Sequence, residues 1–172
     1  MIDAGDLLSP AFVLTAAEHW QRQVTAELLL EAFATMGIDA MTVGPRDFAL
    51  GRAFLLEHAR RLELPYLSAN LIDATTGAPL FPASRIRTVA GVRVGLIGLT
   101  SSLLNIEGLR VTDPLEAARA AVARLTSEGA TYLIVAAYLS PEENARLLEA
   151  LPEIDLIVEG GSHRLLAVPE KI

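Results

Sequence analysis

Short apolar runs alternate along the chain with longer mixed stretches that carry helix start and stop signals. The runs Asp39 to Val43, Tyr66 to Ala69, Tyr132 to Ala137 and Asp155 to Val158 are four to six residues long and read as strands. Each follows a stretch with helix signals. Thr15-Ala16-Ala17-Glu18 forms a capping box for a helix running to about Met36, which Gly37 stops. Asp113-Pro114-Leu115-Glu116 sets an N-cap, a first-turn proline and a third-position carboxylate ahead of a helix that ends near Gly129. Ser140-Pro141-Glu142-Glu143 repeats the device for a helix to about Leu151, and a fourth helix covers Gly51 to Arg61. The alternation predicts an α/β fold whose sheet is covered on both faces. Ser84 to Val89 and Val92 to Leu99 flank Ala90-Gly91 and predict an antiparallel hairpin, so the sheet is mixed. No repeat, low-complexity tract or linker interrupts the pattern, and residues 1–172 read as one domain.

Composition narrows the function. A chain of 172 residues that is 52% hydrophobic and 20% charged can bury a substantial core and is not disordered. A net charge of −7 without a basic stripe excludes nucleic acid as a partner. A phosphate compound remains open to an acidic protein where a metal supplies positive charge. The absence of cysteine excludes disulfides, thiol catalysis and thiolate metal sites. No apolar run approaches the roughly 18 residues of a membrane span, so no membrane partner is expected. Asp3 and Asp6 directly after Met1-Ile2 argue against a signal peptide. The chain as written is therefore expected in the cytoplasm; as a trimmed piece of an exported protein it would belong to the periplasm or the cell exterior.

Three strand ends release polar residues: Asp6 after Gly5, Arg46-Asp47 after Gly44-Pro45, and Glu159-Gly160-Gly161-Ser162-His163-Arg164 after Leu156-Ile157-Val158. Parallel strands would bring these loops to one edge of the sheet, where α/β proteins place their sites.

The stretches "DAGDLL", "GIDAMTVGPRDFALG", "LPYLSANLIDATTGAPLFPASRIRTVAGVRVGLIGLTS" and "LPEIDLIVEGGSH" resemble, in order from Ile2 to about His163, pieces of the calcineurin-like metallophosphoesterase domain of the 5′-nucleotidase family. Leu64 to Ser101 is the most specific part. The resemblance implies an α/β fold with mixed β-sheet layers flanked by helices, an αββα core, and an ancestral hydrolysis of nucleotides or other phosphomonoesters. In that family Asp, Asn and His side chains hold two divalent cations that clamp the phosphate and generate the attacking hydroxide. The motifs are Asp-x-His, Gly-Asp, Gly-Asn-His-Asp/Glu, a lone His and a closing Gly-His-x-His.

Carried onto this sequence, Asp6 matches the carboxylate that bridges the metals. Asp-x-His has no counterpart, so the domain is expected to be N-terminally incomplete. Pro45 stands at the metal-binding Asn, Arg46 at the catalytic His, and Asp47 at the acidic residue that orients it. Tyr138 takes the place of the lone His and Gly161 that of the first closing His, while His163 matches the second. The resemblance thus leaves Asp6 and His163 as metal ligands, and Asp47 and Arg46 for a catalytic or anion-contacting role. Its cofactor would be a divalent metal (Mn, Zn or Mg), or none given these losses. The expected function is an inactive or impaired phosphoesterase-like domain that takes a small phosphorylated molecule. Two alternatives stay open. One is a mononuclear-metal enzyme completed by an upstream segment. The other is a non-catalytic binding module whose exposed sheet edge supports a homo-oligomer.

Plainer readings stand beside these. Asp6 also reads as a strand-end carboxylate bonded to backbone amides. Arg46-Asp47 reads first as a local ion pair or a loop lock, with Arg46 alternatively gripping an anion bidentately. Tyr138 reads as packed or half-exposed, and His19 and His58 as ordinary helix residues. Ser68-Ala69-Asn70 is expected to satisfy backbone groups, and "VGLIGLTS" to be a strand with close backbone packing around its glycines.

Overall fold

The computed structural model describes residues 1–161. Its elements in order are β1 (Ile2–Asp3), α1 (Ala16–Met36), β2 (Ala40–Met41), α2 (Arg52–Arg61), β3 (Leu71–Asp73), β4 (Ser84–Val89), β5 (Val92–Thr100), β6 (Leu109–Val111), α3 (Pro114–Ser127), β7 (Tyr132–Tyr138), α4 (Pro141–Ala150) and β8 (Leu156–Glu159). A four-stranded sheet runs β4-β5-β7-β8, with the β4–β5 hairpin antiparallel and the other pairings parallel. β1 pairs with β2 in parallel, and β3 with β6 antiparallel. The mixed sheet and all four helices are those the apolar pattern predicts.

The helix ends form where their caps dictate. Thr15 and Glu18 close a reciprocal capping box, and Gly37 ends α1 in the left-handed region at φ 70°. The Asp113 carboxylate accepts from the Glu116 amide at 3.0 Å. Ser140 Oγ accepts from the Glu143 amide at 3.2 Å, and Glu143 Oε2 accepts from the Ser140 amide at 2.9 Å. Glu143 also accepts from Ser101 Oγ at 2.7 Å and the Ser102 amide at 2.8 Å, so the α4 cap anchors the loop leaving β5. Ser140→Ala is expected to cost about 1 kcal/mol of stability, read as a lower urea midpoint.

Two apolar clusters flank the strands. One packs Leu30 of α1 and Leu55 of α2 against Met41, Val43, Tyr66 and Leu71. The other packs Leu125 of α3 and Leu147 of α4 against Ile97, Leu99 and Val135. Burying a leucine stabilises by about 1.5–3 kcal/mol, so these contacts outweigh helix propensity in fixing the layers. α1 buries only Ala26 and Leu30, and leaves Trp20, Val24 and Leu28 exposed along one face.

Two expectations need correction. Tyr66 to Ala69 is not a laddered strand: only Tyr66 forms a bridge, to Met41. The segment crosses between sheets and divides its backbone bonds. Leu67 N donates to Met41 O, Ser68 N to Pro82 O and Ala69 N to Gly98 O. A side chain at Gly98 would collide with the Leu67 carbonyl, which accounts for a glycine in that strand. The second correction concerns β3 and β6, which the pattern did not predict. Each is three residues long, too short for a period of two to register.

Candidate functional site

The expected gathering of loops at one sheet edge is present. Asp6 follows β1, Gly44 to Asp47 follow β2, Tyr138 ends β7, and Gly160-Gly161 follow β8. The parallel pairings point the C-terminal ends of these strands the same way within each sheet. Close backbone approach holds the loops together. A Cβ on Gly5, which sits at φ +96°, would lie 2.7 Å from the Gly44 nitrogen. Side chains at Gly44 and Gly160 would collide with the Asp6 carboxylate and the Ala4 carbonyl respectively.

Asp47 lies at the base of this edge, 1% exposed. Its Oδ2 accepts from the amides of Asp6 at 2.8 Å and Gly44 at 2.9 Å, and its Oδ1 from the amide of Leu8 at 3.1 Å. One carboxylate therefore ties the loop after β2 to the loop after β1. Burial pushes its carboxyl up to about 6, while the three amide donors pull the other way and Asp3 nearby adds to the rise.

Above it, Asp6 takes the left-handed backbone conformation at φ 63° and presents its carboxylate to two hydrogen-bond donors and a guanidinium. Oδ1 accepts from the Arg46 amide at 2.8 Å. Oδ2 accepts from the Tyr138 hydroxyl at 2.8 Å and lies 2.9 Å from Arg46 Nε. The Nε–H is not aimed at that oxygen, so the guanidinium contributes charge more than a hydrogen bond. Its Nη1 donates to the Pro10 carbonyl at 3.3 Å, and Cζ stands 5.3 Å from the Phe12 ring centroid. Burial, with the hydrogen bond to Asp6 and its charge, pushes the Tyr138 hydroxyl up to about 12, so it stays protonated and donates. The side chains are 8% exposed for Asp6 and 19% for Arg46, a largely desolvated pair.

Gly161, at φ +82°, completes the edge. A Cβ there would sit 2.7 Å from Tyr138 Cε2, so the tyrosine ring fills the space that a larger residue at 161 would need. Asn70, fully buried, ties the end of β5 to the residue after β6. Its amide donates to the carbonyls of Thr100 and Thr112, and its Oδ1 accepts from the Thr100 amide.

Asp6, Arg46 and Asp47 are thus brought together as the sequence suggests, and Asp6 does bond to a backbone amide. The local Arg46–Asp47 pair is not formed: Arg46 pairs with Asp6, and Asp47 locks backbone amides. Successive side chains of the tight turn at Pro45–Phe48 diverge, so neighbours in sequence reach different partners. His163 lies outside the described residues. Sequence reasoning overlooked the Tyr138 hydroxyl as a partner of Asp6; its one signal was a tyrosine standing where the resemblance places a histidine. His58, expected to be ordinary, is buried, with Nδ1 2.8 Å from the Phe54 carbonyl. Among the described residues no group of three or more His, Asp or Glu is arranged to hold a metal ion. No helix among them is long and apolar enough to cross a membrane.

The layered sheets flanked by helices are those of a calcineurin-like phosphoesterase domain. The sulfate thiohydrolase SoxB of Thermus thermophilus, solved with glycerol, superposes with a TM-score of 0.83 at 25% identity, over 99% of this chain and 31% of that one. A 5′-nucleotidase precursor, also from Thermus thermophilus, gives 0.80 at 26% identity, over 97% and 33%. In sequence, the 5′-nucleotidase of Vibrio cholerae is 31% identical over an alignment of 157 residues that covers 80% of this chain and 28% of that protein. A protein of Treponema pallidum named as a probable 5′-nucleotidase is 33% identical over 138 residues, 76% of this chain and 23% of its own length. A comparison with protein-family models finds no match. The chain belongs to the metallophosphoesterase domain of the 5′-nucleotidase family, and it spans about a quarter of the length of those two relatives.

Proposed function

We propose that this chain is a 5′-nucleotidase-type phosphoesterase domain whose two-metal centre has been replaced by the Asp6–Arg46–Tyr138 cluster, so that it does not hydrolyse phosphoesters. The observation that carries this reading is the 2.9 Å approach of the Arg46 guanidinium to Asp6 Oδ2, with the Tyr138 hydroxyl on the same oxygen. The family chemistry needs divalent cations on that carboxylate. A guanidinium supplies a permanent positive charge in their place, and a dication about 4 Å from it would meet a repulsion on the order of 8 kcal/mol at an effective dielectric near 20.

The donors fit a metal no better. Proline offers no side-chain donor at 45, glycine none at 161, and the Arg46 guanidinium has no lone pair to give a metal. Tyr138 covers the space of a residue at 161, so volume as well as charge is compensated. For the metal that the Asn, the lone His and the first closing His would hold, the resemblance leaves Asp6 alone, and one carboxylate is a poor transition-metal ligand set against water. What the fold would retain is a rigid strand-end platform for a small phosphorylated molecule.

Titrating the purified chain with Mn²⁺ and Zn²⁺, while following heat of binding and hydrolysis of a phosphomonoester, tests this. No stoichiometric binding and no turnover above the blank are expected. Tight binding with turnover that Asp6→Ala abolishes would overturn the reading.

A further inference from the structure

We infer that a second site, at the far end of the sheet from Asp6, binds a small organic anion that joins an apolar body to a carboxylate head. It lies where the chain enters the Tyr66–Ala69 segment, which runs parallel to β2, whereas the Asp6 and Arg46 loops leave the opposite strand ends. A cavity of about 370 Å³ opens there, within the range of small-molecule pockets. Leu56 and Ala59, three apart on one face of α2, form a wall. Tyr66 and Phe81, both buried, line it with rings stacked at 5.3 Å between centroids.

The pocket also carries charge. Arg60 from the last turn of α2 and Arg85 from β4 line it, and neither makes an ion pair with a described carboxylate. Other arginines of the same elements do: Arg52 with Asp73, Arg61 with Glu31 and Arg87 with Asp39. Several other described arginines also lack an acidic partner; what sets Arg60 and Arg85 apart is that they line one apolar hollow together. Glu63 lines the adjoining hollow that shares Leu64, Pro65 and Arg85, and it too leaves Arg85 unpaired. Guanidinium groups match carboxylates in bidentate geometry, and an apolar cavity rewards a hydrophobic body. Together they select an amphiphilic carboxylate over either half alone. This site is independent of the phosphoesterase reading.

Octanoate is a suitable probe, with octan-1-ol and acetate as its two halves, followed by ¹H–¹⁵N shifts of the chain. Octanoate is expected to shift the amides of Leu64, Tyr66 and Phe81 saturably, and to bind at least about ten-fold more tightly than octanol or acetate. The Arg60→Gln/Arg85→Gln variant should weaken octanoate about ten-fold and leave octanol unchanged. Its unfolding midpoint checks that it is folded, which these unpaired arginines should not disturb. Octanoate binding no tighter than octanol, equal binding by the double variant, or shifts confined to the Asp6 edge would each overturn the proposal.

Discussion

Asp47→Ala is expected to lower the stability of the chain by about 4 kcal/mol, read from urea unfolding at pH 7. The aspartate accepts from the amides of Asp6, Gly44 and Leu8 while 1% exposed, and alanine would leave all three without an acceptor. Each stranded donor costs about 1–3 kcal/mol, with some relief if water enters. Against a typical total of about 5–15 kcal/mol, that brings the fold near its threshold. Asp47→Asn keeps one carbonyl oxygen but turns an NH₂ toward an amide donor, and should cost about 2–3 kcal/mol.

The same residue gives the variants a pH signature. Burial raises the native Asp47 carboxyl from 3.8 to about 6, so the neutral form is the one the folded state favours. Its contribution is fully present below about pH 4 and is lost as pH rises to about 6, a change on the order of 3 kcal/mol. Carboxylates remote from Asp47 titrate alike in the wild type and in Asp47→Ala and cancel in the difference, while Asp3, whose charge bears on Asp47, adds a smaller change of its own. The gap between the two proteins should therefore widen as pH falls from 7 to 4. A gap that stays constant would show that Asp47 does not titrate in this window.

Much of this architecture is legible because it is local. Ser140 to Glu143 and Thr15 to Glu18 spell their caps within four residues, and the Ala90-Gly91 turn fixes the β4–β5 register. Harder to read are arrangements between segments distant in sequence. Tyr138 reaches Asp6 across 132 positions, and nothing in either neighbourhood announces it. The identities at the site are readable by resemblance: a proline, an arginine, a tyrosine and a glycine where metal chemistry needs other residues. Their mutual compensation is not. That Arg46 turns to Asp6 and away from its neighbour Asp47, and that the Tyr138 ring covers Gly161, follows from loops that only the fold brings together. The Tyr66–Ala69 segment fails for a related reason, since its apolar residues fit a strand while its backbone bonds go to different elements.

Arg46→Met should cost about 3 kcal/mol, and its companion variants decide what the arginine is for. Removing the cation leaves Asp6, 8% exposed, with the Tyr138 hydroxyl and one amide but no counter-charge. Breaking a buried pair typically costs about 3–5 kcal/mol, and the partial exposure of Arg46 places this one at the lower end. Asp6→Asn alone should cost less, about 1–2 kcal/mol, because the freed guanidinium keeps the Pro10 carbonyl and can reach solvent. The Asp6→Asn/Arg46→Met variant is then expected to fall short of the summed losses by about 2 kcal/mol, since no buried charge is left unpaired. A coupling of that size identifies Arg46 as the counter-ion that a metal would otherwise provide. Additive losses would instead make the guanidinium an incidental neighbour of Asp6. The strand-end cluster would then have no electrostatic reason to hold its shape without a metal, and the case for a replaced centre would rest on volume alone.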